Sequence, residues 1–171
     1  MSTKITDKYL IKKIQLLKNS ATGHRNNINP GQRRYWMYAY LQDVYEVFLD
    51  FQTKGISKKA ARRIVKLLKL PIRRKSHLLR VLVEASAGVE DNRTKIKWVN
   101  ALRVAFGWLQ RPTRLEWFFG VNGGIAGCAA KFAFLKAARR QRKLQKEPSS
   151  SDLSNAQSAS LPQSPNENSN S

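Results

Sequence analysis

Apolar residues in this chain recur every three or four positions, and this spacing limits the fold more than any other feature. The clearest stripe lies between Gln32 and Gln52 and consists of Trp36, Tyr40, Val44, Val47, Phe48 and Phe51. Residues three or four apart share one face of an α-helix, so the stripe predicts a helix that buries this face. Gly55 is expected to end the helix, because glycine adopts the left-handed conformation at low cost.

The same spacing continues along most of the chain. It predicts further helices over residues 5–18, 58–69, 71–86, 90–110, 113–119 and 125–145, with a loop from Asn19 to Gly31. The strict alternation of apolar and polar residues that marks a half-buried strand is absent. We therefore expect an all-α fold, a compact bundle of six or seven helices, whose core contains Trp36, Trp98, Phe106 and Phe132.

Three acidic residues form a second stripe on the helix predicted over 32–52. They are Asp43, Glu46 and Asp50. Either they form salt bridges with a neighbouring basic helix or they make a solvated face. We favour salt bridges, because basic helices surround this one in the sequence.

The composition changes sharply near Glu147. From Pro148 to Ser171 the chain is dominated by Ser, Asn, Gln and Pro, and it has no aromatic residue, Lys or Arg. Such a segment buries too little apolar surface to offset the conformational entropy that it would lose on ordering. The sequence thus predicts a basic helical domain over residues 1–146 and a disordered tail over residues 147–171.

Positive charge narrows the class of partner. The chain has 32 Lys and Arg residues against 11 Asp and Glu residues, a formal net charge of +21. Such an excess repels itself, and a polyanion can neutralise it. Nucleic acid is the commonest polyanionic partner, and an anionic membrane surface is the next. We expect nucleic acid, with DNA favoured over RNA; no diagnostic RNA-recognition motif is present.

The segment from Gly55 to Ile64 has the pattern of a helix-turn-helix motif. A turn glycine and an apolar residue precede Ser57, a predicted N-cap, and alanine follows where two helices would cross closely. In this interpretation the next helix, opened by Pro71, is the recognition helix. The expected contact residues are Lys58, Lys59, Arg62, Arg63, Arg73, Arg74, Lys75, His77 and Arg80. The alternative is a pair of ordinary amphipathic helices whose basic faces are only solvated.

A second basic segment ends the last predicted helix. Small residues suited to close packing follow the turn at Asn122, Gly123 and Gly124, and then come Lys136, Arg139, Arg140, Arg142 and Lys143. Such a run of cations would contact the phosphate backbone whatever the base sequence. The alternative is a packed helix with a solvated charged end.

The sequence offers little for catalysis. His24 and His77 lack Cys or carboxylate partners at metal-ligand spacing, and no P-loop or dinucleotide-binding glycine pattern is present. His77-Leu78-Leu79-Arg80 resembles the His-x-x-Arg element of tyrosine recombinases, but those enzymes need a later tyrosine and every tyrosine here precedes His77. We expect a non-enzymatic protein without a cofactor or metal, and Cys128 as a small core residue.

The remaining expectations concern compartment and role. A single cysteine fits a reducing, cytoplasmic environment, and the lysines between Met1 and Leu17 do not suit a secretory signal. The uncharged stretch from Trp117 to Ala130 is too short to span a bilayer. Together with the basic surfaces at residues 58–80 and 136–146, these features predict a DNA-binding accessory protein with a regulatory, plasmid or mobile-element role. The alternative is a basic module that docks on an acidic protein.

Overall fold

The computed structural model describes residues 6–26, 35–73, 75–108 and 114–146. These residues form seven α-helices and no strand, so the predicted all-α bundle is confirmed. The helices are α1 (Asp7–Asn26), α2 (Tyr35–Thr53), α3 (Ser57–Leu67), α4 (Leu78–Ser86), α5 (Asn92–Trp108), α6 (Leu115–Val121) and α7 (Gly124–Lys146). The predicted tail, residues 147–171, lies outside the described residues.

Helix α2 is the centre of the bundle, and α1, α3, α4, α5 and α6 all pack against it. Its predicted apolar stripe is buried except for the partly buried Trp36, and the side chains of Tyr40, Phe48 and Phe51 are fully inaccessible to solvent. The Tyr40 hydroxyl forms a hydrogen bond of 2.8 Å with the Ser86 hydroxyl, which donates to the Leu82 carbonyl. Because both hydroxyls of this buried pair are satisfied, the pair does not oppose the burial of the apolar side chains around it.

The aromatic residues predicted for the core differ in how far they are covered. Trp98 is 3% exposed, and Trp36 and Phe132 are partly buried against the core. Phe106 is 43% exposed, although its ring lies 5.0 Å from the Phe48 ring in an edge-on arrangement. Helical spacing identifies the inward face of a helix, but only the neighbouring helices decide how completely each residue on that face is buried.

The loop predicted to begin at Asn19 is wrong in its first part, because α1 continues to Asn26. The Gln15 amide donates to the Asn19 side-chain oxygen over 2.9 Å, and the Ser20 hydroxyl donates to the Asp43 carboxylate of α2. The first contact satisfies Asn19 within α1, and the second is a tertiary contact that satisfies Ser20, so both residues stay helical although their types favour loops. The rest of the predicted loop, residues 27–31, lies outside the described residues.

The start of α7 approaches the end of α6 very closely. A Cβ atom on Gly127 would overlap the carbonyl oxygen of Asn122, so this position requires glycine. The Asn122 side chain fixes the turn, since its amide donates to the Phe118 carbonyl over 2.8 Å and its oxygen accepts from Lys131 Nζ over 2.7 Å. Cys128 is fully buried beside this turn, as its small apolar surroundings in the sequence indicate.

The contacts within the chain divide it after Lys136 into two units, and of the second unit the structure describes residues 137–146. All the packing described above lies within the first unit. Helix α7 begins in that unit, and its residues from Ala137 onwards belong to the second and are described by themselves.

Candidate nucleic-acid interface

The turn between α2 and α3 has three residues, Lys54, Gly55 and Ile56. Gly55 has a φ of +65°, and the N–H groups of Gly55 and Ile56 donate to the carbonyls of Gln52 (2.9 Å) and Phe51 (3.0 Å). This pair of bonds is a Schellman motif, which satisfies the last carbonyls of α2 and turns the chain sharply. A turn of this length that contains glycine is typical of helix-turn-helix units.

Helix α3 begins without the predicted side-chain cap. Ile56 occupies the N-cap position, and its carbonyl accepts a hydrogen bond of 2.8 Å from the Ala60 N–H. Ser57 is the first helical residue, and its buried hydroxyl has no hydrogen-bond partner in the described part of the chain. The predicted N-cap is therefore wrong by one residue, because the preceding turn already places Ile56 where the helix starts.

One face of α3 is buried and the opposite face is cationic. The buried side chains, which pack towards α1, α2 and α4, are Ala60, Ala61, Ile64 and Val65. The exposed cationic side chains are Lys58, Lys59, Arg62 and Lys66. Lys58, Arg62 and Lys66 are four residues apart, so they follow one another along the exposed face.

Cations around α3 greatly outnumber the acids that could neutralise them. Between Asp50 and Glu84 the chain has 11 Lys and Arg residues and no Asp or Glu. Three of these cations form ion pairs: Lys54 with Asp50, Arg63 with Asp7, and Arg80 with Glu84. Seven others form no ion pair with another described residue, and they are Lys58, Lys59, Arg62, Lys66, Lys69, Arg73 and Lys75. Their charge stays available to an external polyanion.

The recognition helix predicted from Pro71 does not form, because α4 begins only at Leu78. Helix α3 closes with Lys69 in the left-handed conformation, at φ +47°, and the Ser76 N–H donates to the Arg73 carbonyl over 2.9 Å in a separate turn. Adjacent cations in a first helical turn would oppose the positive end of the helix dipole, which disfavours a helix start here. The connector between α3 and α4 therefore has ten residues, too many for a helix-turn-helix turn.

The described basic residues of this connector nevertheless face solvent. Arg73 and Lys75 are both exposed, whereas Arg74 lies outside the described residues. Exposed cations on a non-helical segment can reach phosphates, but they cannot enter a groove as part of a helix. These residues, which were predicted to lie in a recognition helix, thus lie in the connector after α3.

His77 caps α4 and does not project freely into solvent. Its Nδ1 accepts a hydrogen bond of 3.3 Å from the Leu79 N–H, and its ring lies 5.6 Å from the Phe48 ring. Burial, assisted by the charge of Arg103, lowers the pKa of His77 to about 4. The imidazole is therefore neutral near pH 7, and it adds no charge to the basic surface.

Arg80 links α4 to α5. Its guanidinium pairs with Glu84 over 2.9 Å and donates to the side chain of Asn92, while Glu84 also pairs with Lys95 over 3.3 Å. The three charged side chains are between 10% and 19% exposed. Of the predicted contact residues, Arg80 is therefore engaged within the bundle.

The basic end of α7 forms a second cationic segment. Its exposed cations are Lys136, Arg139, Arg140, Arg142 and Lys143. No Asp or Glu lies between Glu116 and Glu147, and none of these five cations is ion-paired within the described ranges. Taken by itself, this segment is a helical run of unneutralised positive charge.

The acidic stripe of α2 has different surroundings at each position. Asp50 accepts a hydrogen bond of 2.7 Å from the Tyr9 hydroxyl and pairs with Lys54 at 2.8 Å and with Lys13 of α1 at 3.7 Å. Desolvation by itself would raise the pKa of the Asp50 carboxyl, but the hydrogen bonds from Lys54 and Tyr9 lower it, and the net result is a lowered pKa. Glu46 is exposed, so the predicted salt-bridge interpretation applies to Asp50 and not to every residue of the stripe.

The described residues provide little support for a metal site, a reactive thiol or a single membrane-spanning helix. Where the chain is described, no three His, Cys, Asp or Glu side chains are grouped so that they could hold a metal ion. The Cys128 thiol is buried, and burial raises its pKa. In the same ranges no single helix is long and apolar enough to cross a membrane, whereas α6 together with residues Gly124–Lys143, bent by 75°, meets the length and composition criterion as a pair.

Two features of the surface go beyond the predicted contact residues. Lys66 and Lys69 lie within the basic segment predicted over residues 58–80, and both are exposed and belong to the cationic surface. Several large apolar side chains on α5, α6 and α7 are exposed, among them Trp108, Trp117 and Phe134. Their spacing in the sequence does not separate them from core residues.

No protein-family model matches this chain, and neither a curated protein nor a solved structure matches it. Its role must therefore be inferred from the charge and geometry of α3, of the connector after it and of α7.

Proposed function

We propose that this protein binds nucleic acid, with DNA favoured over RNA, and that it does so without catalysing a reaction. The observation that carries the proposal is the surface formed by α3 and its connector. Seven exposed cations lie there without an ion pair to another described residue, in a stretch of chain that has no acid. A polyphosphate would relieve the mutual repulsion of these cations and release its own counterions on binding.

The dimensions of α3 support DNA as the partner. An α-helix with its side chains is about 10–12 Å wide, and the major groove of B-form DNA is about 12 Å wide. The major groove of A-form RNA is too deep and narrow for such a helix. Helix α3 follows a three-residue turn and has an exposed cationic face, so we assign it, and not α4, as the helix that approaches the groove.

Within this proposal the exposed cations have distinct positions. Lys58, Arg62 and Lys66 extend over about 12 Å of α3, from eight residues at about 1.5 Å each, and they contact phosphates on the walls of the groove. Arg73 and Lys75 contact phosphates from the connector. The basic end of α7 adds affinity that does not depend on base sequence.

Removal of positive charge from α3 tests the proposal. We expect the triple variant Lys58→Ala, Arg62→Ala, Lys66→Ala to bind a labelled DNA duplex much more weakly, measured by fluorescence anisotropy over a range of salt concentrations. Each phosphate contact contributes about 0.9 to the slope of log affinity against log salt, so three lost contacts reduce the slope by about 2.7. If the variant and the unaltered protein bind equally at about 1 M salt, the variant should bind about 500-fold more weakly at about 0.1 M salt.

A matched control variant distinguishes DNA binding at the α3 surface from binding that depends only on net charge. The variant Lys12→Ala, Arg93→Ala, Lys97→Ala also removes three exposed cations, from α1 and α5. We expect it to retain most of the affinity and of the salt slope. Equal losses in both variants would show that binding follows net charge and not the α3 surface. Failure of the unaltered protein, freed of carried-over nucleic acid, to bind duplex DNA, single strands or RNA at low salt would refute the proposal and favour an acidic protein as partner.

A further inference from the structure

An exposed apolar groove lies between the end of α5, α6 and the first part of α7. Its volume is about 810 Å³, and its lining includes Trp108, Trp117, Val121, Lys131, Phe134 and Leu135. Trp108 is 79% exposed, Trp117 62% and Phe134 74%. Contiguous apolar surface of this kind on a soluble protein marks a place where another apolar surface binds.

The charge around the groove restricts what can cover it. From Asn92 to Lys146 the chain has a single acid, Glu116. Three exposed cations, Arg114, Lys131 and Lys136, belong to or adjoin the elements that form the groove. A second copy of the chain would bring the same cations to the groove, and each copy has a formal net charge of +21, so charge repulsion opposes self-association. The complementary occupant is apolar and bordered by negative charge.

Apart from two indole N–H groups, the described residues that line the groove offer few polar groups to a ligand. Asn122 is the one uncharged amide or hydroxyl side chain among them. The Asn122 amide donates to the Phe118 carbonyl, and its side-chain oxygen accepts from Lys131. No buried unsatisfied side-chain atom lies among the described residues that line the groove. The groove is therefore better suited to bind hydrocarbon than a ligand that needs specific hydrogen bonds, such as the edge of a nucleobase.

We propose that this face docks on the surface of an anionic lipid bilayer, an activity separate from the nucleic-acid binding proposed above. Trp108 and Trp117 would lie at the headgroup level, where indole rings are favoured, and Val121, Phe134 and Leu135 would enter the hydrocarbon boundary. Lys131 and Arg114 would extend their cationic ends to lipid phosphates. By length and composition alone, α6 and residues Gly124–Lys143 form one bent apolar pair, which places apolar side chains on both elements beside the groove.

Vesicle binding tests the proposal on the full chain, after removal of nucleic acid. The probes are vesicles of pure phosphatidylcholine and vesicles with equal parts of phosphatidylcholine and phosphatidylglycerol. We expect co-sedimentation with the anionic vesicles and a blue shift of tryptophan emission, because two exposed indoles leave water. Each cation near an anionic surface contributes about fivefold, so three predict about 100-fold tighter binding than to the neutral vesicles.

Two valine variants distinguish apolar docking from charge attraction. Val121→Asp places a charge in the groove, whereas Val89→Asp makes the same chemical change at an 85% exposed residue before α5 that does not line the groove. We expect only Val121→Asp to abolish the blue shift and to reduce anionic-vesicle binding at least tenfold. Circular dichroism checks folding, and Phe134→Ser serves as a second groove variant should Val121→Asp lose its helix content.

Several outcomes would overturn the proposal. Equal vesicle binding by the two valine variants would mean that charge alone attracts the protein. A blue shift caused by a single-stranded oligonucleotide but not by vesicles, and lost in Val121→Asp, would assign the groove to bases. Self-association in sedimentation, lost in Val121→Asp, would assign it to a second copy. None of these results depends on whether duplex DNA binds at α3, so the two proposals fail separately.

Discussion

Gly127 offers a direct test of the packing between α6 and α7, when Gly127→Ala is compared with Gly120→Ala. A Cβ atom at position 120 meets nothing within 4 Å, whereas a Cβ atom at position 127 overlaps the Asn122 carbonyl oxygen. Alanine in place of glycine stabilises a helix interior by up to about 1 kcal/mol. Overpacking against backbone, which cannot rotate away as a side chain can, costs about 1–3 kcal/mol. We therefore expect the two variants to differ by about 1–3 kcal/mol in the free energy of unfolding, with Gly127→Ala the less stable.

Thermal unfolding followed by circular dichroism measures this difference. For a chain of this size, about 1 kcal/mol corresponds to about 2–4 °C in the midpoint. Gly120→Ala is expected to keep or raise the midpoint, because the residue is exposed and its backbone is helical. Gly127→Ala is expected to lower the midpoint relative to Gly120→Ala. A midpoint for Gly127→Ala equal to or above that of Gly120→Ala would refute the close approach of the two backbones.

Two further predictions concern residues that the sequence assigned to binding. The pKa of His77 is about 4 in the folded protein, against an ordinary value of 6.5. Between these two pH values the unfolded chain binds more protons at His77 than the folded chain does. The contribution of neutral His77 to stability should therefore be fully present above pH 6.5 and decrease as the pH falls towards 4. Denaturation curves for His77→Asn, which keeps a capping acceptor but cannot titrate, should show a weaker fall, and identical pH profiles would contradict this. Arg80→Ala should lower the unfolding midpoint because it breaks a half-buried ion pair, whereas Arg73→Ala should leave the midpoint unchanged and weaken DNA binding; the reverse pattern would show that Arg80 faces the ligand.

Helical periodicity predicted the fold class, because it depends only on which residues share a face. The ends of the helices were less predictable, because they depend on contacts between elements distant in sequence. Asn19 and Ser20 favour a loop by type, yet Ser20 donates to Asp43 of α2 and the helix continues. Pro71 suggested a helix start, but the left-handed Lys69 and the cations after the proline delay α4 until His77 caps it.

The candidate site was also predictable only in part. The charge pattern identified the basic segments, since charge is a property of the sequence alone. It could not show which cations are engaged within the bundle: Arg63 pairs with Asp7, more than fifty residues earlier in the chain, and Arg80 is held by Glu84 and by Asn92 of α5. Whether an aromatic residue such as Trp117 is core or surface depends in the same way on neighbours that no local pattern specifies.

The distribution of charge separates folding from binding in this protein. Core burial and the ion pairs of Asp50 and Glu84 stabilise the fold, whereas the exposed cations of α3 form no ion pair with another described residue and repel one another. Removal of Lys58, Arg62 and Lys66 should therefore leave the unfolding midpoint unchanged or raise it slightly, because self-repulsion decreases. Loss of DNA affinity at constant or increased stability would identify these cations as a binding surface. If the same variant instead lost stability and affinity together, the cations would have a structural role that the described contacts do not contain.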